Sequence, residues 1–212
     1  MDQAHGRTLT DSGFPIGTNS GKRAVTLLAR SSCLSASLGA YDQMALPEPF
    51  HVVLVEPEIP PNTGTISRLC GATDSVLHLV KPLGFNTDDR HLKRAGLDYW
   101  RFVRIVYWDS FWEFLQANDT GRMHFLSKKA AAPFTECRFR PGDFLVFGKE
   151  TKGLPEEILW QFPERCYAIP MSNPNIRSLN ISVAAGIVLY EALRQQAEAA
   201  GGWEGFAPLR KP

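Results

Sequence analysis

The chain has 212 residues, 44% of them hydrophobic, and a formal net charge of +1. That length suits one ordinary core plus a tail better than two domains, and so small a charge excludes a polycation that grips nucleic acid with its whole surface; such contacts must come from local clusters of Lys and Arg. No run of about 18 apolar residues is available to span a membrane, and Cys33, Cys70, Cys137 and Cys166 lie far apart with no CxxC pair or zinc-ligand His, which points to reduced thiols in a cytoplasmic protein without a metal.

Residues 1–49 are rich in Ser, Gly, Thr and Ala and lack sustained periodicity, so they read as a tail. Three origins compete: a disordered extension, a targeting peptide, or upstream sequence translated ahead of a true start at Met44. Asp2, Asp11 and Asp42 and the missing apolar stretch weigh against targeting, and a dispensable extension is expected. Within it, Gly17-Thr-Asn-Ser-Gly21-Lys22-Arg23 imitates a phosphate-binding loop. Its spacer is one residue short, Arg23 stands where a magnesium-binding hydroxyl is needed, and no strand precedes it, which excludes a nucleoside triphosphatase.

From His51 onward short apolar runs alternate with helical patterns. The runs 51–55, 75–80, 102–106, 123–126, 143–147 and 166–169 suit buried parallel strands. Ile66, Leu69, Cys70 and Thr73 form a helical stripe, and Phe111, Phe114 and Leu115 a shorter one. The expected fold is α/β, a mostly parallel sheet flanked by helices, over residues 50–196, with 197–212 as a second tail.

Three segments carry the chemistry. In Ile59-Pro-Pro-Asn62-Thr-Gly64-Thr-Ile-Ser-Arg68, the prolines stop a strand, Asn62 suits a helix N-cap, and free amides there could meet an anion. Arg68 falls off the apolar stripe and can face a ligand; an ordinary capped helix with a solvated Arg is the competing reading. In Gly148-Lys-Glu150-Thr-Lys-Gly153-Leu-Pro155, Gly148 would let the backbone approach a flat ligand, Glu150 offers a carboxylate, and Gly153 permits a turn, while a tight strand-to-helix turn alone also explains both glycines. In the stretch from Ile169 to Ala192 a polar loop precedes a nearly all-apolar helix that begins near Ser178, whose Ala184, Ala185 and Gly186 suit a close helical neighbour in the same or a second subunit. All three follow strands, where open α/β sheets bind ligands, yet none carries GxGxxG.

In this order and spacing the three segments resemble the motifs of SPOUT methyltransferases, and most closely the small tRNA 2'-O-methyltransferases that act on the wobble cytidine or uridine. Leu54-Val-Glu-Pro-Glu-Ile-Pro60, Lys81-Pro-Leu-Gly-Phe85 and Gly96-Leu-Asp-Tyr99 extend the likeness to about residues 50–196. The resemblance implies methyl transfer from S-adenosylmethionine to the ribose 2'-hydroxyl of tRNA position 34, a deep trefoil knot at the carboxyl end, against the usual topological rule, and an antiparallel homodimer with Tyr190 in its interface. It places the cofactor against Leu126, Gly148, Ile169 and Ser178, with Met171 and Leu179 packing nearby, and matches Arg68, Asn62, Glu150, Ser178 and Asn180 to the active site. One departure is the segment 171–177, which is one residue longer than in familiar relatives. Alternatives are an enzyme of this class acting on another tRNA or rRNA site, and a non-catalytic RNA-binding module; intact Arg68, Glu150, Ser178 and Asn180 argue against the latter.

No metal is needed for such a transfer, because a sulfonium is already a good leaving group and the enzyme aligns the hydroxyl and helps remove its proton. The family assigns the base to the arginine matching Arg68. A guanidinium, with a pKa above about 12, suits phosphate binding and polarisation of the hydroxyl better, leaving Glu150 or water to take the proton. For RNA, Arg90, Lys93, Arg94, Arg101 and Arg104 cluster beside Tyr99 and Trp100, offering phosphate contacts and stacking, with a solvated helix face as the competing reading.

Overall fold

A computed structural model describes residues 48–85, 100 and 102–203. The amino-terminal segment 1–47 and, of the basic cluster, Arg90, Lys93, Arg94 and Arg101 lie outside the described residues.

Among the described residues seven strands form one sheet: β1 (His51–Val55), β2 (Val76–Val80), β3 (Arg104–Trp108), β4 (Met123–Leu126), β5 (Ala132–Pro133), β6 (Phe144–Phe147) and β7 (Cys166–Ala168). Their spatial order is β3-β2-β1-β6-β4-β7-β5, and every pair is parallel. The chain steps outward from β1 to β3 on one side and then fills the other, so the order reverses between β1 and β6. Such a reversal opens a crevice at the carboxyl ends of the two strands, where ligands bind.

The apolar runs are continuous because both faces of the sheet are covered. Val52 and Leu54 join Ile66, Cys70, Val188 and Leu189 in one core, beneath helices α1 (Pro60–Ala72) and α4 (Ile181–Ala199). Val53 and Val55 point the other way, into a core with Phe111, Phe114 and Ile158 from helices α2 (Phe111–Ala117) and α3 (Glu156–Gln161). Truncating a central residue such as Leu189 to Ala would cost about 2–5 kcal/mol.

The third strand departs from the expected 102–106. Parallel pairing in register Val76↔Arg104 through Val80↔Trp108 moves it two residues onward and leaves Phe102 68% exposed in the preceding turn. That register also carries a polar diagonal through the α2 and α3 core. Trp108 Nε1 donates to His78 Nδ1 at 2.9 Å, and His78 Nε2 lies 2.8 Å from His51 Nδ1. Neutral His78 must then carry its proton on Nε2 and donate it to His51. Burial pushes the His78 imidazole down to about 3 and that of His51 to about 4. A second buried network joins His124 Nε2 to Asp143 Oδ2 at 2.9 Å, with Cys137 Sγ 3.1 Å from His124 Nδ1.

Cys70, Cys137 and Cys166 are free and buried. Among the described residues no helix is long and apolar enough to cross a membrane.

Candidate active site

The loop after β1 and the loop after β6 meet at the crevice, because their strands are neighbours in register Leu54↔Phe147. Helix α1 begins earlier than expected: Ile59 is its N-cap in an extended conformation, and Pro60 and Pro61 occupy its first positions. Proline is favoured there because its missing N–H would have no helical partner anyway. Asn62 is therefore inside the first turn and does not cap it.

Its side chain is instead a bridge, 8% exposed. Asn62 Nδ2 donates to Glu150 Oε1 at 3.0 Å, and Asn62 Oδ1 accepts from Asn180 Nδ2 at 3.0 Å. Asn180 in turn caps α4, its Oδ1 accepting from Ser182 N at 2.8 Å and Ser182 Oγ at 2.7 Å, so that helix starts at Ile181 and not near Ser178. The Glu150 carboxylate completes the start of α1, accepting from Glu58 N at 2.8 Å and Ile59 N at 3.3 Å. An anion at a helix N-terminus is stabilised by the amides and dipole it meets. Three distant chain segments thus converge on one hydrogen-bonded line, Asn180–Asn62–Glu150.

The loop that carries Glu150 closes on itself. Gly153 adopts φ +75° and donates its N–H to Lys149 O at 2.8 Å. A Cβ on Gly148 would stand 2.1 Å from Gly153 C and Leu154 N, so the turn itself accounts for this glycine. Lys149 and Glu56 form an ion pair, and the Glu56 carboxylate holds the lysine above its ordinary pKa. The Glu58 carboxylate accepts from Thr151 N at 3.0 Å and Thr151 Oγ at 2.7 Å, which lowers its pKa.

The strand ends line up beside this line. Leu126 pairs with Phe147 on one side and Tyr167 on the other, so Leu126, Gly148 and Ile169 emerge from three adjacent strands β4, β6 and β7. Leu126 and Ile169 pack against the α1 and α4 core and are only partly buried. Leu179 is half-buried, whereas Met171 and Ser178 are exposed. Lys128 Nζ donates to Arg177 O at 3.3 Å, tying the loop after β4 to the polar loop before α4. A cleft of about 500 Å³ opens at the same edge, bordered by Glu56, Lys129, Lys149, Lys152 and Leu154.

The remaining expected residues are more dispersed. Arg68 is exposed on α1, the helix whose first turn holds Asn62. Tyr190 is exposed on α4, in a stripe with Val183 and Ile187 at helical spacing. Arg104, exposed on the edge strand β3, donates to Asp74 O at 2.8 Å. Glu58 and Thr151 lie inside the quoted segments but carry no sequence pattern that marks them; the meeting of the two loops alone brings them together.

A parallel α/β domain whose polar side chains converge where the strand order reverses is of the class that binds its ligand at that crevice. Residues 49–190 match the model of the SpoU rRNA Methylase family, and the chain belongs to that family. It is 52% identical over 148 residues to the tRNA (cytidine(34)-2'-O)-methyltransferase of Methylovorus glucosotrophus, covering 69% of this chain and 95% of that protein. The enzyme of the same name from Burkholderia ambifaria is 44% identical over 162 residues, covering 74% and 99%. A solved structure described as giving structural insights into the 2-OH methylation of C/U34 on tRNA is 48% identical with a TM-score of 0.68, covering 72% of this chain and 99% of that one.

Proposed function

We infer that the chain transfers a methyl group from S-adenosylmethionine to the ribose 2'-hydroxyl of the wobble nucleotide, position 34, of tRNA. It is a tRNA 2'-O-methyltransferase of the SpoU class, similar over nearly the whole length of its relatives. The observation that carries the reading is the Asn180–Asn62–Glu150 line at the strand reversal, which joins all three segments of the motif pattern.

The cofactor, when bound, supplies an electrophilic methyl on a sulfonium. The residues that would hold it are Leu126, Gly148, Ile169, Met171, Ser178 and Leu179. Three adjacent strand ends with partly buried apolar side chains fit a flat heterocycle read by backbone groups. Glu150 already accepts three hydrogen bonds. A carboxylate has roughly four lone-pair sites, which leaves one for the ribose hydroxyl. Arg68 would bind the neighbouring phosphate and polarise that hydroxyl while keeping its own proton. Ser178, two residues ahead of the α4 cap, would meet the same ligands.

The proposal extends to a deep trefoil knot at the carboxyl end and to a homodimer through α4, whose exposed Val183, Ile187 and Tyr190 suit an apolar interface. It also extends to RNA contacts by Arg90, Lys93, Arg94, Arg101 and Arg104, and to the cytoplasm, which fits three free buried thiols. Nucleoside mapping of total tRNA from cells lacking the gene tests the substrate: a wobble 2'-O-methyl group should vanish and return with the wild type. Normal wobble methylation would overturn the assignment. In single-turnover assays Arg68→Ala should slow methylation, and a wild-type rate would remove Arg68 from the mechanism. Ile187→Asp should shift the sedimenting species from dimer to monomer; an unchanged dimer would exclude this face.

A further inference from the structure

We propose that Glu58 is a positioning residue for methyl transfer, holding the Glu150 loop in place through Thr151. The inference rests on the reading of Glu150 and Asn62 as part of the reaction site. The contacts are reciprocal. Glu58 gives its backbone N–H to Glu150 Oε2 at 2.8 Å, while its own carboxylate takes the N–H and hydroxyl of Thr151, the next residue, at 3.0 and 2.7 Å. A second Thr151 hydroxyl contact, 3.0 Å to Glu58 Oε1, engages both carboxylate oxygens. The Lys149–Glu56 ion pair crosses the same two loops on the other side of Glu150. Residues 56 and 58 thus hold residues 149 and 151, the two chain neighbours of Glu150.

The clasp lies at the surface: Thr151 is exposed and Glu58 is half-buried. Water can replace its bonds when they are cut, so the fold has little need of them. What it restrains is the lateral position of the Glu150 carboxylate relative to Asn62 and the start of α1. Misplacement of a reacting constellation by about 1 Å can cost on the order of 100-fold in rate. Glu150 retains Asn62 and Ile59 N as partners, so a smaller loss is expected here.

The test uses the full chain with S-adenosylmethionine and substrate tRNA, comparing Glu58→Ala, Glu58→Gln, Thr151→Val and the Glu58→Ala/Thr151→Val double variant. Glu58→Ala should lower the single-turnover rate about tenfold, with affinities for S-adenosylmethionine and tRNA and the melting temperature close to wild type. Glu58→Gln keeps an acceptor oxygen and should recover most of the rate. The double variant should be no slower than Glu58→Ala, because the hydroxyl contacts that Thr151→Val removes are already lost in Glu58→Ala. A wild-type rate for Glu58→Ala, an equal loss for Glu58→Gln, or multiplicative losses in the double variant would overturn the proposal. So would a rate loss that merely tracks a fall in melting temperature. If Glu58→Ala does not fold, Thr151→Val decides: it loses the hydroxyl contacts and keeps the backbone one, so its rate should fall by less than about tenfold, and a wild-type rate overturns the proposal. Glu150→Ala separates the two layers. A wild-type rate for that variant removes the site reading itself, whereas a slow Glu150→Ala beside a normal Glu58→Ala removes only the clasp.

Discussion

Replacing Asn62 by Asp changes one atom type at the centre of the site and nothing in its shape. Asn62 Nδ2, which donates to Glu150 Oε1 at 3.0 Å, becomes a carboxylate oxygen facing another. A lost hydrogen bond to a charged group costs about 1.5–3 kcal/mol. Two carboxylates about 4 Å apart repel by about 4 kcal/mol at an effective dielectric of 20. Proton uptake by the pair limits the total, so a destabilisation on the order of 4 kcal/mol is expected at pH 8. The sign with pH follows from linkage: one carboxyl of the folded variant has a raised pKa, so the folded state binds the extra proton that the unfolded chain releases. The penalty is therefore full above the folded pKa and shrinks by up to about 1.4 kcal/mol per pH unit as pH falls toward the ordinary carboxylate range. Urea denaturation of wild type, Asn62→Asp and Asn62→Ala at pH 8, 7, 6 and 5 reads this out. Asn62→Ala should lose stability without the added slope. If Asn62→Asp tracks Asn62→Ala at every pH, Asn62 and Glu150 do not face each other in solution.

The buried histidines set a second pH dependence. Their folded pKa values lie below the ordinary 6.5, at about 4 for His51 and about 3 for His78, so stability is present above pH 6.5 and lost as pH falls through that window. The slope is up to about 1.4 kcal/mol per pH unit for each group; His51→Gln, which keeps an acceptor for His78, should flatten it in denaturant titrations, and an unchanged slope would speak against the diagonal. Among the described residues Thr63 Oγ1 is a buried oxygen without a hydrogen-bond partner. Thr63→Val should therefore stabilise by about 1 kcal/mol, a rise of about 2–4 °C in melting temperature; a fall would show that the hydroxyl finds a partner. The two loop glycines should differ. Gly148→Ala meets backbone at 2.1 Å and should cost about 3 kcal/mol, whereas Gly153→Ala has φ +75° but nothing within 4 Å of the new Cβ and should cost about 1 kcal/mol. Equal melting temperatures for the two variants would contradict the loop geometry.

Much of the fold was legible because it is written locally. Strands buried on both faces need uninterrupted apolar runs, so β1, β2, β4, β6 and β7 could be placed from composition to within a residue or two. β3 slipped by two residues because its ends are set by pairing with β2, and β5, two residues long, has no pattern to read. The three chemical segments were visible from their prolines, glycines and polar runs, and their order identified the family. What those residues do to one another was not visible. Asn62 lies 88 residues from Glu150 and 118 from Asn180 in the chain, and only the adjacency of β1 and β6 and the packing of α4 beside α1 bring them within 3.0 Å. Local preference favoured Asn62 as a cap, since Asn is a good one. The structure gave that work to Ile59 and the remote Glu150, because consecutive prolines can open a helix and a carboxylate can come from another loop to meet its amides. The sequence by itself therefore determined the kind of domain and where along the chain its chemistry lies. The tertiary structure alone decided which side chains hold which, since hydrogen bonds depend on distances that sheet order sets and chain spacing does not.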